Sequence, residues 1–339
     1  MSTRAASADG TSERLQALTG YAREVFGHFM TWVPVPGDAS FRRYFRARLV
    51  DGRMVIAMDA PPEHEDLPRF LRVAALMRAA GVHVPEVYAA DICRGFALLS
   101  DLGTRTYLDV ITVDNADEFI EPALDSLLRW QQASEPGKLP DYTPALLGAE
   151  LDLFADWYAG RHLARALRGR PGELWSALRQ ALVAAAGEQP QVFVHRDYTV
   201  RNLVVSSPCP GVIDFQDAVL GPIAYDFLSL TRDAFVSWPP ERIDRWLASY
   251  AAWARRAGLA VPASPPTLRR WVDLIGVQRH LKVIGIFARL AHRDAKPRYL
   301  LEIPRFLGYL HAVAPRYPET AGLVEILDSL GAGESPCGP

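Results

Sequence analysis

The chain of 339 residues predicts an α+β architecture in two lobes. A small β-rich N-terminal lobe is expected over 12–103 and a larger, mainly helical C-terminal lobe over 104–330. Three observations carry this prediction. Short strand-like runs cluster between Trp32 and Leu99, helical periodicity dominates beyond Gly103, and one island of strand character interrupts those helices at 192–214.

The elements follow in order. Residues 1–10 are small and polar and predict disorder, while 12–26 has helical spacing at Leu15, Leu18, Ala22 and Val25 with Ser12 as the N-cap. A Gly37-Asp38 turn precedes an aromatic, Arg-rich strand at 41–50, and Asp51-Gly52 turns the chain into a second strand at 54–58. A helix at 67–80 stops at Gly81, and 84–89 with 95–99 reads as another strand pair. Helices are expected at 115–132, 144–167, 173–186, 223–235, 241–257, 267–292, 298–313 and 320–330. The run VPASPP at 261–266 is a linker, and the tail 331–339 reads as frayed.

Composition excludes several classes of function. The 37 basic residues against 39 acidic ones leave a net charge of −2, which argues against a nucleic-acid binder held by bulk electrostatics. Cys93, Cys209 and Cys337 lie far apart with no CxxC pair, so neither a disulfide framework nor a zinc site is expected. The start MSTRAASADG lacks the apolar core of a secretory signal, and no membrane-length apolar run appears. A cytoplasmic, soluble monomer without a metal cage and without nucleic-acid or membrane partners is the expectation.

The chemistry lies in VFVHRDYTVRNLVVSSPCPGVIDF at 192–215. Phosphoryl transfer needs a carboxylate beside the attacking hydroxyl and oxygen ligands that hold Mg²⁺ against nucleotide phosphates. Asp197 on a loop supplies the first, and Asn202 and Asp214 supply the second; a strand–loop–strand hairpin would let them converge. The pattern matches the H-R-D-x-x-x-x-N loop and following aspartate of protein kinases. The plainer alternative for both aspartates is turn formation. His195 reads as a prop for the loop through hydrogen bonding.

Two further stretches suit ATP. The segment 37–46 offers a strand–turn–strand phosphate cradle with Ser40, Phe41, Arg42, Arg43 and Arg46, although any hairpin needs such a turn. Ser100 and Leu102 fall in 98–103, where backbone groups could hold adenine or where a plain linker could run.

What is missing is equally informative. There is no G-x-G-x-x-G, no V-A-I-K and no A-P-E, and the only lysines are Lys138, Lys282 and Lys296. The strand that would carry the small-lobe lysine reads VIAMD, which puts Met58 near its place. No glutamate opens the next helix, although Glu63, Glu65 and Asp66 precede it. Phosphate charge therefore falls to Arg42, Arg43 or Arg46, to backbone amides or to metal alone. Strand alternation puts Arg42 and Arg46 on one face and Arg43 on the other with Phe41 and Phe45.

On these motifs the sequence resembles the aminoglycoside phosphotransferase superfamily, over about 32–330. Four stretches, GDASFRRYFR, MDAPPEHED, HRDYTVRNL with IDFQDAVLGPIAYD, and QRHLKVIGIFARL, are similar to its anomeric N-acetylmuramate/N-acetylglucosamine kinases of peptidoglycan recycling. That subgroup also lacks the usual lysine. The resemblance implies a bilobal protein-kinase-like fold, ATP and Mg²⁺, and phosphorylation of the sugar's anomeric hydroxyl to a sugar 1-phosphate. It implies that Asp197 is the base, that Asn202 and Asp214 hold Mg²⁺, and that Asp226 braces the loop. Gln216, Asp217, Arg279 and Lys282 are the candidates for reading the sugar. On general grounds Gln278, Arg279, His280 and Lys282 would form a solvated helix face, but a lactyl carboxylate needs a cation and Arg279 and Lys282 share one face. The alternatives are an aminoglycoside or amino-alcohol kinase of the same fold, which the basic residues on that helix disfavour, and a nucleotide-binding pseudokinase.

Overall fold

A computed structural model describes residues 3–36 and 41–331. In chain order the elements are α1 (Thr3–Phe26), β1 (Val33–Val35), β2 (Arg43–Arg48), β3 (Met54–Asp59), α2 (Leu67–Ala79), β4 (Val87–Asp91), β5 (Phe96–Ser100), α3 (Ala116–Gln132) and α4 (Pro144–Leu153). A π-helical segment, Phe154–His162, leads to α5 (Arg170–Gly187), β6 (Gln191–Val194), β7 (Leu203–Val204), β8 (Gly211–Val212) and β9 (Val219–Pro222). Then come α6 (Ala224–Thr231), α7 (Pro240–Arg256), α8 (Pro265–Arg293), α9 (Ile303–Val313) and α10 (Ala321–Ser329). The chain forms two compact units, Met1–Thr106 with Leu203–Gln216, and Tyr107–Asn202 with Asp217–Pro339.

The first unit is built on an antiparallel sheet in the order β1-β2-β3-β5-β4. The Asp51-Gly52 turn closes β2 onto β3, with Gly52 at φ +89, a conformation that glycine adopts at no steric cost. Alternation along the strands sends Phe45, Ala57, Phe96 and Leu98 to one face, where Leu18, Tyr21 and Ala22 of α1 cover them. Asp66 caps α2 by accepting the Arg69 N–H at 2.9 Å. Helix α1 begins at Thr3, so the disorder expected for 1–10 is corrected over 3–10, with residues 1 and 2 outside the described ones, and Ser12 lies inside the helix. The alanines at 5, 6 and 8 favour that extension. The Gly37-Asp38 turn, Ser40, Cys337 and the end of the tail lie outside the described residues.

The second unit is helical around α8. Leu274, Val277, Leu281, Ile284, Phe287 and Ala288 of α8 pack with Phe154, Trp175 and Phe306 in one apolar cluster. Its small sheet departs from the hairpin expected at the catalytic loop. Strand β6 pairs with β9, whereas β7 pairs with β8 in the first unit, so the loop joins two sheets. The helix expected over 144–167 gives way to π-helix at Phe154. Gln278, Arg279, His280 and Lys282 are all buried, which corrects the solvated face: neighbouring helices surround this stretch of α8. No helix among the described residues is long and apolar enough to cross a membrane.

Gly285 marks the closest approach to α8. A Cβ there would fall 2.4 Å from the carbonyl carbon of Leu153, where only backbone could yield. Gly285→Ala is therefore expected to cost about 3 kcal/mol, the upper end of overpacking penalties. Gly308→Ala in α9 meets nothing within 4 Å and should gain up to about 1 kcal/mol from helix propensity. Thermal melts of the two variants check this: a lowered Tm for the first and an unchanged or raised Tm for the second.

Candidate active site

In the second unit the loop after β6 is held from within. Arg196 adopts φ +74, an uncommon conformation for a residue with a side chain. The Asp226 carboxylate, in the first turn of α6, fixes it by accepting the N–H groups of His195 at 2.6 Å and Arg196 at 3.1 Å. Burial pushes the Asp226 carboxyl up to about 6 even though His195 and these N–H groups oppose the shift. The His195 ring is buried, and its Nδ1 accepts the Asp197 N–H at 3.3 Å. Turns through Asp197 and Thr199 carry the loop on to Asn202.

These contacts present Asp197 with its side chain 55% exposed. Its Oδ2 accepts a hydrogen bond from Asn202 Nδ2 at 3.0 Å, and its Oδ1 lies 3.4 Å from Arg279 Nη2. Arg279, a candidate only on general chemistry in the sequence, thus stands beside the loop carboxylate. Lys282 does not. Its Nζ meets Glu150 Oε1 at 2.8 Å and the hydroxyls of Tyr225 and Tyr142 at 3.2 and 3.5 Å.

Glu150 is the residue that sequence reasoning missed. Arg196 and Lys282 pair with its Oε1, while Tyr142 and Gln278 donate to its Oε2. Burial alone would raise its carboxyl, but Lys282 and Arg196 outweigh that and hold it below its ordinary value. The same pairing holds the Arg196 guanidinium charged against burial. The signal available was a carboxylate in the apolar run PALLGAELDL of α4.

In the first unit Arg42 lies 3.2 Å from Glu65 and 3.8 Å from Asp214. Asp214 follows β8 at φ +62, and Gln216 Nε2 donates to its Oδ1 at 3.0 Å. Phe215 between them is buried against Phe70 of α2. Arg43 is engaged elsewhere: it and Arg14 share the buried carboxylate of Asp59. Arg46 holds Asp101 at 2.5 and 3.0 Å and the Gly103 carbonyl at 2.9 Å, so it organises the segment with Ser100 and Leu102. Ser100 Oγ accepts the Glu86 N–H, and Leu102 packs where Gly211 leaves room. Phe41 is exposed and stacks on His64, and the Asp217 carbonyl lies 3.4 Å from Arg196 in the second unit.

No group of three or more His, Cys, Asp or Glu side chains among the described residues could hold a metal. Asp214, with one exposed carboxylate, and the Asn202 amide instead offer hard oxygen ligands. Each, in its own unit, is a donor of the kind that Mg²⁺ takes, an ion that uses one or two carboxylates and completes its shell with phosphates and water.

Residues 31–259 match the Phosphotransferase enzyme family. The chain belongs to that family. It is 53% identical over 301 residues to the N-acetylmuramate/N-acetylglucosamine kinase of Pseudomonas aeruginosa, covering 89% of each chain. The protein of the same name from Neisseria meningitidis is 43% identical over 301 residues, covering 88% of this chain and 90% of its own. Among solved structures, a choline kinase from Streptococcus pneumoniae superposes with a TM-score of 0.64 at 9% identity, covering 88% of this chain and 99% of that one. An ADP-bound aminoglycoside phosphotransferase superposes with a TM-score of 0.57 at 13% identity, over 86% and 97%. The phosphotransferase has the expected protein-kinase-like fold, an N-terminal antiparallel sheet followed by a helical region.

Glu150→Gln leaves the buried Lys282 and the half-buried Arg196 without their countercharge, which in comparable buried sites costs about 3–5 kcal/mol. Because the folded-state acid is held below its ordinary value of 4.5, its stabilisation is present above that pH and is lost as pH falls. Thermal melts should show a large Tm deficit at pH 7 that shrinks toward pH 4.

Proposed function

We propose that this phosphotransferase transfers the γ-phosphoryl group of ATP to the anomeric hydroxyl of N-acetylmuramate and N-acetylglucosamine. The products are the sugar 1-phosphates and ADP, and ATP use puts the reaction in the cytoplasm. The 53% identity to a kinase named for both sugars, extending over 89% of both chains, carries the reading. The loop geometry around Asp197 supports it.

In this reading Asp197 accepts the proton of the anomeric hydroxyl as that oxygen bonds to the γ-phosphorus and the bond to the bridging oxygen of ADP breaks. Asn202 keeps the carboxylate aimed. Asn202 and Asp214 are the Mg²⁺ ligands; the ion, when bound, neutralises charge on the nucleotide phosphates. Arg279 is also the cation best suited to a lactyl carboxylate, since Lys282 already faces Glu150. A buried guanidinium beside the base suits a polycationic aminoglycoside poorly. Gln216 and Asp217 remain candidates for sugar contact, and Ser40, Phe41, Ser100 and Leu102 for the nucleotide.

We assign the role of the missing lysine to Arg42. Its position between Glu65 and Asp214 supports this, because a cation paired with a glutamate near the metal aspartate meets the same electrostatic need. Arg43 and Arg46 already serve Asp59 and Asp101.

An ADP-release screen with N-acetylmuramate, N-acetylglucosamine, glucose and kanamycin tests the function. Turnover confined to kanamycin, or a product that phosphorus NMR shows to be phosphorylated away from the anomeric carbon, would sink it. Asp197→Asn should lower kcat by about 10²–10⁴ while ATP still binds. Near-normal turnover would remove Asp197 from the base position. Arg42→Ala should lower kcat/KM for ATP roughly ten- to a hundredfold through loss of a charge-assisted hydrogen bond. Arg43→Ala should instead lower Tm and leave the ATP KM near wild type, and steady-state kinetics with melts on both variants separate the two roles.

A further inference from the structure

Asp233 follows α6 and has one carboxylate oxygen accounted for. Its Oδ1 accepts the Ala234 N–H at 2.6 Å, while Oδ2 is buried with no hydrogen-bond partner. Arg279 is the complementary case. Its Nη2 reaches Asp197 at 3.4 Å, and its Nη1 is buried with no hydrogen-bond partner. The two residues are 2% and 4% exposed.

The chain brings them to the same place. Arg232 reaches Asp273 of α8 at 2.8 Å, and the His280 ring, one residue past Arg279, hydrogen-bonds the Arg232 backbone. Asp233 therefore lies beside the Arg279 turn of α8. Burial pushes its carboxyl up to about 6, and Arg279 is the foremost charge acting against that shift, with Asp197 and Arg201 also acting on it. His280 stacks on Tyr309, and burial with the nearby arginines holds its pKa well below the ordinary value, so it brings no charge. Yet no ion pair joins Asp233 to Arg279.

A buried acceptor and a buried donor, both unsatisfied, cost free energy unless a third group bridges them. A hydroxyl does so, because it donates once and accepts through its lone pairs. The geometry points to a hydroxyl subsite at Asp233 and Arg279. A sugar hydroxyl other than the one phosphorylated donates to Asp233 Oδ2 and accepts from Arg279 Nη1. Arg279, loosely held at 3.4 Å from the exposed Asp197 carboxylate, is the side chain that gives way to admit it. Asp233 then reads the sugar while Asp197 acts on it. This rests on the sugar-kinase reading and deepens it.

The test is a set of cycles between the protein and its substrate. Wild type, Asp233→Asn and Asp233→Ala are assayed with N-acetylglucosamine and its 3-, 4- and 6-deoxy analogues, recording KM for sugar, KM for ATP and Tm. Asp233→Asn keeps an oxygen for the Ala234 N–H and removes a buried charge, so its Tm should be unchanged or raised. Its sugar KM should rise roughly ten- to a hundredfold with the ATP KM unchanged. One deoxy analogue should be penalised in wild type and no longer penalised in the variants, the signature of a direct contact. An unchanged sugar KM, or additive losses for every analogue, would mean that water fills the gap and overturn the subsite. Failure of both variants to fold would make Asp233 a structural post and would overturn the subsite as well. Absence of wild-type turnover with either sugar refutes the functional reading instead, and that is seen in the wild-type assay alone.

Discussion

A single buried carboxylate, Glu150, ties together the elements on which the catalytic loop depends. It stands on α4, yet it meets Arg196 from the loop, Lys282 and Gln278 from α8, and Tyr142 from the segment before α4. Two cations on one carboxylate would be costly to bury if either side of the balance were missing. With these donors in place both oxygens of Glu150 are engaged, and the strained backbone at Arg196 is held from its side chain. Asp226 holds the same residue from its N–H. Asp197 follows immediately, so the placement of its carboxylate depends on these buried contacts.

In the small unit the arginines of 42–46 are divided among separate carboxylates. Alternation along β2 sends Arg43 to the face that α1 covers, where Asp59 absorbs it together with Arg14. Arg46 on the opposite face binds Asp101 and the Gly103 carbonyl. Arg42, just ahead of the strand, is left with Glu65 and Asp214. An arginine can serve there because its charge persists under burial and its fork can contact two anions at once.

Helix α8 shows how a polar face can be internal. Its apolar residues face α9, α5 and the π-helical segment, while Asp273, Gln278, Arg279 and Lys282 turn toward α6, the loop and α4. Each of these polar side chains has a charged or hydrogen-bonding partner, as burial requires. Buried polar atoms without hydrogen-bond partners remain at Asp233 Oδ2 and Arg279 Nη1, and also at Gln278 Oε1, His280 Nε2 and Arg232 Nη1.

Much of the fold was legible in the sequence because it rests on local rules. Period-two runs and the Asp51-Gly52 turn gave the small sheet, and helical spacing with proline and glycine punctuation gave the helices. The loop residues from His195 to Asn202 were legible for the same reason, since their spacing is a property of one short segment. The lysine count likewise excluded a mechanism without any coordinates. Tertiary structure alone decided the rest. It gave Arg42, Arg43 and Arg46 different carboxylate partners, set Lys282 against Glu150, and buried a helix face that periodicity alone assigned to solvent. Those outcomes depend on which distant segments share a small volume, and a one-dimensional pattern records the orientation of a side chain but not the charge waiting on the other side.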